Sequence, residues 1–368
     1  MVDKTHTSDT KFFAQKLSEY KKLIDADIAQ YAKNVQKSTL QEFGAHSRLA
    51  TDGYLEILGR GGKRIRGALA MVGYEMAGGK NKAMILEAAR AVEMIHAYIL
   101  IIDDINDRSP TRRGGPTAHI ALSDYHKKNN FSDSAEHFGE SIAMNCALLG
   151  NHAAQMLLTF LDVDPKLRSI AIGTINGGMV TTAHGQFNDI FNEVSGKVSE
   201  RDVQNVMEWK TAYYTFLNPL TFGMVLAGAN TATTDAIRDY SLNAGRAFQV
   251  TDDILGTFGA EFESGKSPLD DIREGKRTLL TVYALEHTDK ADRNFLMQML
   301  GNSNLSQAEF DRCKDILVES GALAYTEQKA KHYVQTALTS LEENSEFWTA
   351  DGQRFLSGLA QTLLHRKA

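Results

Sequence analysis

The chain has 368 residues, a formal net charge of -6 and 43% hydrophobic residues. That is ample for a large core, and the acidic balance argues against a nucleic-acid binder working through general positive charge. Two cysteines, Cys146 and Cys313, lack metal-ligand spacing and fit a reduced compartment better than a disulfide framework.

From the N-terminus, Met1 to Lys11 is polar, without the charged-then-apolar pattern of a signal peptide. No stretch approaches the roughly 18 apolar residues of a membrane span. The expectation is a soluble, cytoplasmic protein. Gly61-Gly62-Lys63-Arg64-Ile65-Arg66 reads as a glycine pair opening a helix with three cations in its first turn. Ala88, Ala91, Val92, Ile95, Ile99 and Ile102 then trace one helical face. Arg108 to Thr117, with two prolines, two glycines and three arginines, is a loop, and Lys127 to Gly139 is a second, hydrophilic one. Phe216 to Ala229 and Ala236 to Ile254 show helical periodicity again, and Pro219 predicts a kink just after Lys210-Thr211. Gly259 to Lys276, with Gly265, Pro268 and Gly275, forms a third long loop. Strand-like alternation is scarce, and no repeat or linker divides the chain. The expected fold is all-α, a single domain over residues 1–368.

Two acidic pairs, Asp103-Asp104 and Asp252-Asp253, end apolar helical stretches. There the helix dipole already concentrates negative charge, and unpaired buried carboxylates neutralise or find cations. Asp103 and Asp107 lie four residues apart, on one helix face, and carboxylates with water suit magnesium, which completes its shell with substrate phosphates. Gln249 precedes Asp252-Asp253 by one turn, while Gly256 stands where a third acid could have been.

Cations supply the other half. Lys63 and Arg66 at a glycine-opened helix start suit a diphosphate. Arg112-Arg113, Lys210, Lys266 and Lys276 extend the set. His96 lies two turns before Asp103; by itself a histidine on an apolar helix is more often a core residue. Metal-binding acids with separate cation groups point to two polyanions, one held through metals and one directly.

At these residues the chain resembles the trans-isoprenyl diphosphate synthases, the all-α family of farnesyl and geranylgeranyl diphosphate synthases. The resemblance runs from about Gly61 to Thr278, through Gly61-Gly62-Lys63-Arg64-x-Arg66, Asp103-Asp104-x-x-Asp107 with Arg112-Arg113-Gly114, Gly185-Gln186 and Lys210-Thr211. It continues in Phe248-Gln249-x-x-Asp252-Asp253, Gly265-Lys266 and Gly275-Lys276-Arg277-Thr278. It implies a helical bundle around a central cavity, and a homodimer. It further implies that Asp103 and Asp107 ligate two magnesium ions and Asp252 a third, supported by Asp104 and Asp253. Arg112, Lys210, Lys266 and Lys276 would hold the allylic diphosphate, with Thr211 and Gln249 beside the reacting carbon. Lys63, Arg66, His96 and Arg113 would bind isopentenyl diphosphate. Departures are Gly256, Ile102 in place of a frequent histidine, Gly67 in place of a frequent proline, and Gly150-Asn151 in place of a frequent Gly-Asp.

The implied reaction is ionisation of an allylic diphosphate, attack by isopentenyl diphosphate and loss of a proton, with the departing diphosphate as base. The family's chain-length rule places Ile99 and Tyr98, four and five residues before the first acid, down the cavity. Tyr98 would be a floor favouring short products, and the second motif, Asp252-Asp253-Ile254-Leu255-Gly256-x-Phe258-Gly259, resembles that of certain bacterial geranylgeranyl-type enzymes, which points to geranylgeranyl diphosphate. Farnesyl or longer polyprenyl products are the alternative. A terpene cyclase would not need Lys63, Arg66 and Arg113, and a non-catalytic helical subunit should have lost some of the acids or loop lysines.

Overall fold

The computed structural model describes residues 4–259 and 269–364. Helices dominate, and the only strands among the described residues form one two-residue hairpin. The described residues form two compact units that interleave in sequence: residues 15–173 with 222–228, and the remainder. No helix of the described residues is long and apolar enough to cross a membrane.

In the first unit, α1 (Lys4–Gly59, its first residues belonging to the second unit) is interrupted at Gly44, whose φ is 82°. α2 (Ile65–Met76) and α5 (Ala135–Thr159) pack against α3 (Lys82–Asn106), and α4 (Ala118–Lys128) packs on α5. Asn81 caps α3, its side chain accepting from the Met84 amide at 3.1 Å. Ala88, Ala91, Val92 and Ile95 are buried as their spacing demands, whereas Ile99 and Ile102 are half-buried. Gly67, where a proline was the alternative, donates its N–H to Glu93 Oε1 at 2.8 Å. A proline there would leave that buried carboxylate short of a donor.

The expected loop from Lys127 to Gly139 is shorter than its composition suggested. Lys127 and Lys128 finish α4, and Ala135 to Gly139 open α5. Ser134 caps α5 by accepting from the His137 amide at 3.2 Å, and Phe131 packs edge-on against His126 and Phe138. An aromatic cluster and a capping residue here outweigh local polarity.

The second unit contains most of α6 (Pro165–Val194), α7 (Glu200–Val206), the π-helical segment Met207–Leu217, the start of α8 (Asn218–Leu226), α9 (Thr231–Ala236) and α10 (Arg238–Phe258). Asp270–Glu274, Leu279–His287, Lys290–Met299, Gln307–Glu319, Ala322–Glu343 and Ala350–Leu364 follow. α10 packs on the π-helical segment and on Ala322–Glu343. A Cβ at Gly185 would stand 2.3 Å from the Lys210 nitrogen, and one at Gly245 2.3 Å from Ala212 Cα. Two bare backbones thus let α6 and α10 close directly on the segment that carries Lys210 and Thr211. The distortion expected around Pro219 takes the form of this widened helix. Pro219 follows it directly inside a continuous helix, and the Asn218 N–H just before it donates to the Tyr213 carbonyl in the widened i→i−5 pattern.

Candidate active site

α3 ends where its acids begin. Asp107 terminates the helix, its N–H donating to the Asp103 carbonyl at 2.8 Å, and both carboxylates are partly exposed. Asp104 between them is fully buried (0% exposed) and accepts from Arg112 Nε at 2.6 Å. Arg112 Nη2 also lies 2.5 Å from Asp104 and 3.7 Å from Asp103. Arg112 reaches them from the hairpin, where β1 (Thr111–Arg112) pairs with β2 (Gly115–Pro116). Its two turn residues, Arg113 and Gly114, have φ of 51° and 74°, the positive values a tight hairpin requires. The three acids therefore differ in kind: Asp104 anchors the hairpin, while Asp103 and Asp107 stay partly exposed.

On the same unit, His96 Nε2 stands 3.2 Å from Arg66 Nη1 and 3.5 Å from Arg113 Nη2. Burial, then the charges of Arg66 and Arg113, hold the imidazole well below its ordinary pKa of 6.5. His96 is therefore neutral at physiological pH and can accept from one of these cations. Arg113 also donates to the Gly61 carbonyl, so the hairpin is tied to the turn that opens α2. Within that turn Lys63 is exposed and Arg66 half-buried, but Arg64 is buried and internal. It bonds Asp25 at 2.8 Å, Glu93 at 3.2 Å and the Leu58 carbonyl at 2.7 Å. The motif thus alternates accessible and buried cations. Tyr98 and Ile99 are half-buried on α3, about one turn before Asp103.

The second unit builds a chain of polar contacts on α10. Thr211 Oγ1 donates to Gln249 Oε1 at 2.6 Å, and Gln249 Nε2 donates to Asp253 Oδ1 at 2.7 Å. Asp253 is buried and Asp252 exposed. Burial, followed by the charge of Asp271, pushes the Asp253 carboxyl well above its ordinary range, with Asp252 and Asp189 adding to the effect. Lys210 Nζ bonds Asp189 at 2.6 Å. Lys276 Nζ bonds Glu193 and lies 3.6 Å from Asp189 and 3.9 Å from Glu274. Lys266 lies outside the described residues. Asp189, Glu193 and Asp271 were not foreseen from sequence, although Asp189 and Glu193 follow Gly185 by one and two helical turns on α6.

Among the described residues no three acidic, histidine or cysteine side chains converge to enclose an ion by themselves. The donors nevertheless fit a hard divalent cation. They are carboxylate oxygens, partly exposed, at sites where negative charge is already in excess around Asp253. A cation that keeps several waters and completes its shell with phosphate oxygens needs only such sparse protein ligands.

The polyprenyl synthetase family model matches residues 48–317, which enclose every motif from Gly61 to Thr278. The geranylfarnesyl diphosphate synthase of Aeropyrum pernix is 31% identical over 290 residues, 77% of this chain and 84% of that protein. The geranylgeranyl diphosphate synthase of Saccharolobus solfataricus is 30% identical over 354 residues, 95% of this chain and 98% of its own. The crystal structure of a geranylgeranyl pyrophosphate synthase from Corynebacterium glutamicum, complexed with isoprenyl diphosphate and magnesium, is similar with a TM-score of 0.90. It is 30% identical and covers 95% of this chain and 99% of that one. The chain belongs to the polyprenyl synthetase family and has its all-α fold. It is a prenyltransferase.

Proposed function

We propose that this prenyltransferase joins isopentenyl diphosphate to an allylic diphosphate, head to tail, and that its principal product is geranylgeranyl diphosphate. The observation that carries the reading is the cluster of Arg66, Arg113 and neutral His96, within 3.2 and 3.5 Å contacts, beside the opening of α2. Two guanidinium groups converging on an uncharged imidazole make a directly binding anion site, separate in kind from one held through metal. A terpene cyclase, which ionises one diphosphate only, has no use for it.

In this reading Lys63, Arg66, His96 and Arg113 hold isopentenyl diphosphate. Arg112, Lys210, Lys266 and Lys276 hold the allylic diphosphate, with Thr211 and Gln249 at the reacting carbon. Asp103 and Asp107 would hold two magnesium ions and Asp252 a third, with Asp104 and Asp253 in support. When bound, magnesium would supply charge neutralisation for the departing diphosphate. The lysines add fixed positive charge where negative charge develops, so the residues work by electrostatic preorganisation. Breaking the carbon–oxygen bond leaves its electron pair on diphosphate. The isopentenyl double bond then attacks the allylic carbon, and the proton lost passes to the released diphosphate. Tyr98 would end the chain's path and keep products short.

Two exposed apolar rows support a homodimer. On α5 they are Met144, Leu148, Leu149 and Met156, and on α6 Val180, Phe187, Phe191 and Val194. Rows of this size on a helix surface mark a protein partner, here a second copy.

The test is incubation of the purified protein and magnesium with labelled isopentenyl diphosphate and each of dimethylallyl, geranyl and farnesyl diphosphate, followed by chromatography. Geranylgeranyl diphosphate should dominate. Hydrocarbon release from a single substrate would favour the cyclase, and no incorporation with any primer would reject the reading.

A further inference from the structure

A cavity of about 760 Å³ lies in the second unit, between the turn joining α6 to α7 and the helices Leu279–His287 and Lys290–Met299. Small-molecule sites span roughly 300–1,000 Å³, so the volume suits one ligand. None of the lining residues is among those assigned to metal or diphosphate. Val198, Val282, Leu285 and Met297 give the cavity an aliphatic wall, and the unbranched Met297 lets that wall adapt. No aromatic ring lines it, so a nucleotide base would find nothing to stack on.

The charges on this wall are unbalanced. Lys197, Arg277 and Arg293 stand against Asp202 and Glu286. Asp202 is engaged in capping α7, its Oδ2 accepting from the Ser199 N–H at 2.9 Å and from the Ser199 hydroxyl at 2.6 Å. Glu286 is exposed. Arg293 is partly engaged, Nε donating to the Leu285 carbonyl at 2.7 Å and Nη2 to the Glu286 carbonyl at 3.4 Å. Arg277 is different. Its one hydrogen-bond contact among the described residues runs from Nη1 to the Met297 sulfur at 3.9 Å, and its Nε is buried with no partner. Burial lowers its pKa, yet a guanidinium stays charged at neutral pH. Lys276, one residue earlier, is the opposite case: it bonds Glu193 and lies 3.6 Å from Asp189. Gly275, with φ of 80°, and the capping box at Thr278 fix the short segment that carries both cations. A half-buried guanidinium without a carboxylate costs free energy, which a bound anion would offset.

We propose that this cavity is a second ligand site, for an amphiphilic anion: a carboxylate or phosphate head on a hydrocarbon tail. The head meets Arg277, and the tail lies against Val198, Val282, Leu285 and Met297. The site does not depend on the reaction proposed for the acids and lysines, because it uses none of their side chains.

Calorimetric titration of the full chain in EDTA with decanoate, decyl phosphate and 1-decanol, each below its aggregation threshold, tests this. The proteins are the parent, Arg277→Gln, which removes the charge, and Val198→Trp, which fills the cavity from the turn. Each is melted first without ligand, so that only folded variants are compared. At least one of the two anions should bind the parent at one site per chain, and which one binds identifies the head group. Decanol should bind at least tenfold more weakly, and Arg277→Gln should raise Kd for the anion about tenfold. Val198→Trp should abolish binding. If neither anion binds the parent, or decanol binds as well as they do, the proposal is overturned. Anion binding that survives both substitutions belongs to another site and overturns it too.

Discussion

Gly62 lies directly beneath the guanidinium of Arg113: a Cβ at position 62 would come within 2.8 Å of Arg113 Cζ. Its φ of 113° is also one that L side chains rarely adopt. The conformation thus calls for glycine at the point where the hairpin meets the opening of α2, and an added Cβ would also push the Arg113 guanidinium aside. Gly62→Ala should displace Arg113 and weaken isopentenyl diphosphate more than the allylic substrate. We expect KM for isopentenyl diphosphate to rise about tenfold, or ~1.4 kcal/mol, with little change in kcat. Steady-state kinetics with each substrate varied in turn would check this, and equal effects on both would contradict it.

The Asp104–Arg112 pair should matter for stability independently of turnover. Asp104 is fully buried and Arg112 mostly so, at 16% side-chain exposure. Asp104→Ala strands a buried guanidinium, and breaking such a pair costs roughly 3–5 kcal/mol. Urea denaturation without ligands should show a loss of that order. A loss typical of surface sites would mean the pair is solvated in solution.

His96 sets a pH dependence whose sign follows from its depressed pKa. The unfolded chain takes up a proton near the ordinary value of 6.5, but burial and the charges of Arg66 and Arg113 deny it to the folded state. Below that value the unfolded state binds more protons, so stability rises with pH there. This contribution is complete above about 6.5 and is lost as the pH falls towards the lower folded value. His96→Gln should flatten the acid limb of a plot of urea midpoint against pH. Parallel curves would show that another group governs that limb.

Tyr98 is half-buried on α3, one turn and a residue before Asp103. Replacing it by alanine should deepen the space available to the growing chain, so Tyr98→Ala should shift products to longer prenyl diphosphates. Chromatography of dephosphorylated products reads this directly, and an unchanged product ladder would remove Tyr98 from the role of floor.

What the sequence determined by itself was everything carried by short range: the helical period of α3 and α10, the acids at their ends, the glycine-opened turn and the lysines after it. Those patterns are local because helical spacing and backbone freedom are local, and together they also carried the resemblance to the family. Composition misled where packing overrode it, as in the segment from Lys127 to Gly139, whose two ends are helical so that only residues 129–134 form the loop. Only the tertiary structure decided which of several like-charged neighbours turn inward and which stay partly exposed. Arg64 turns inward to Asp25 and Glu93 while Arg66 meets His96, and Asp104 is spent on Arg112 while Asp103 stays partly exposed. Lys210 and Lys276 likewise meet on Asp189 across a long stretch of chain. Burial and charge compensation are properties of what surrounds a residue in space, and no spacing along the chain encodes them.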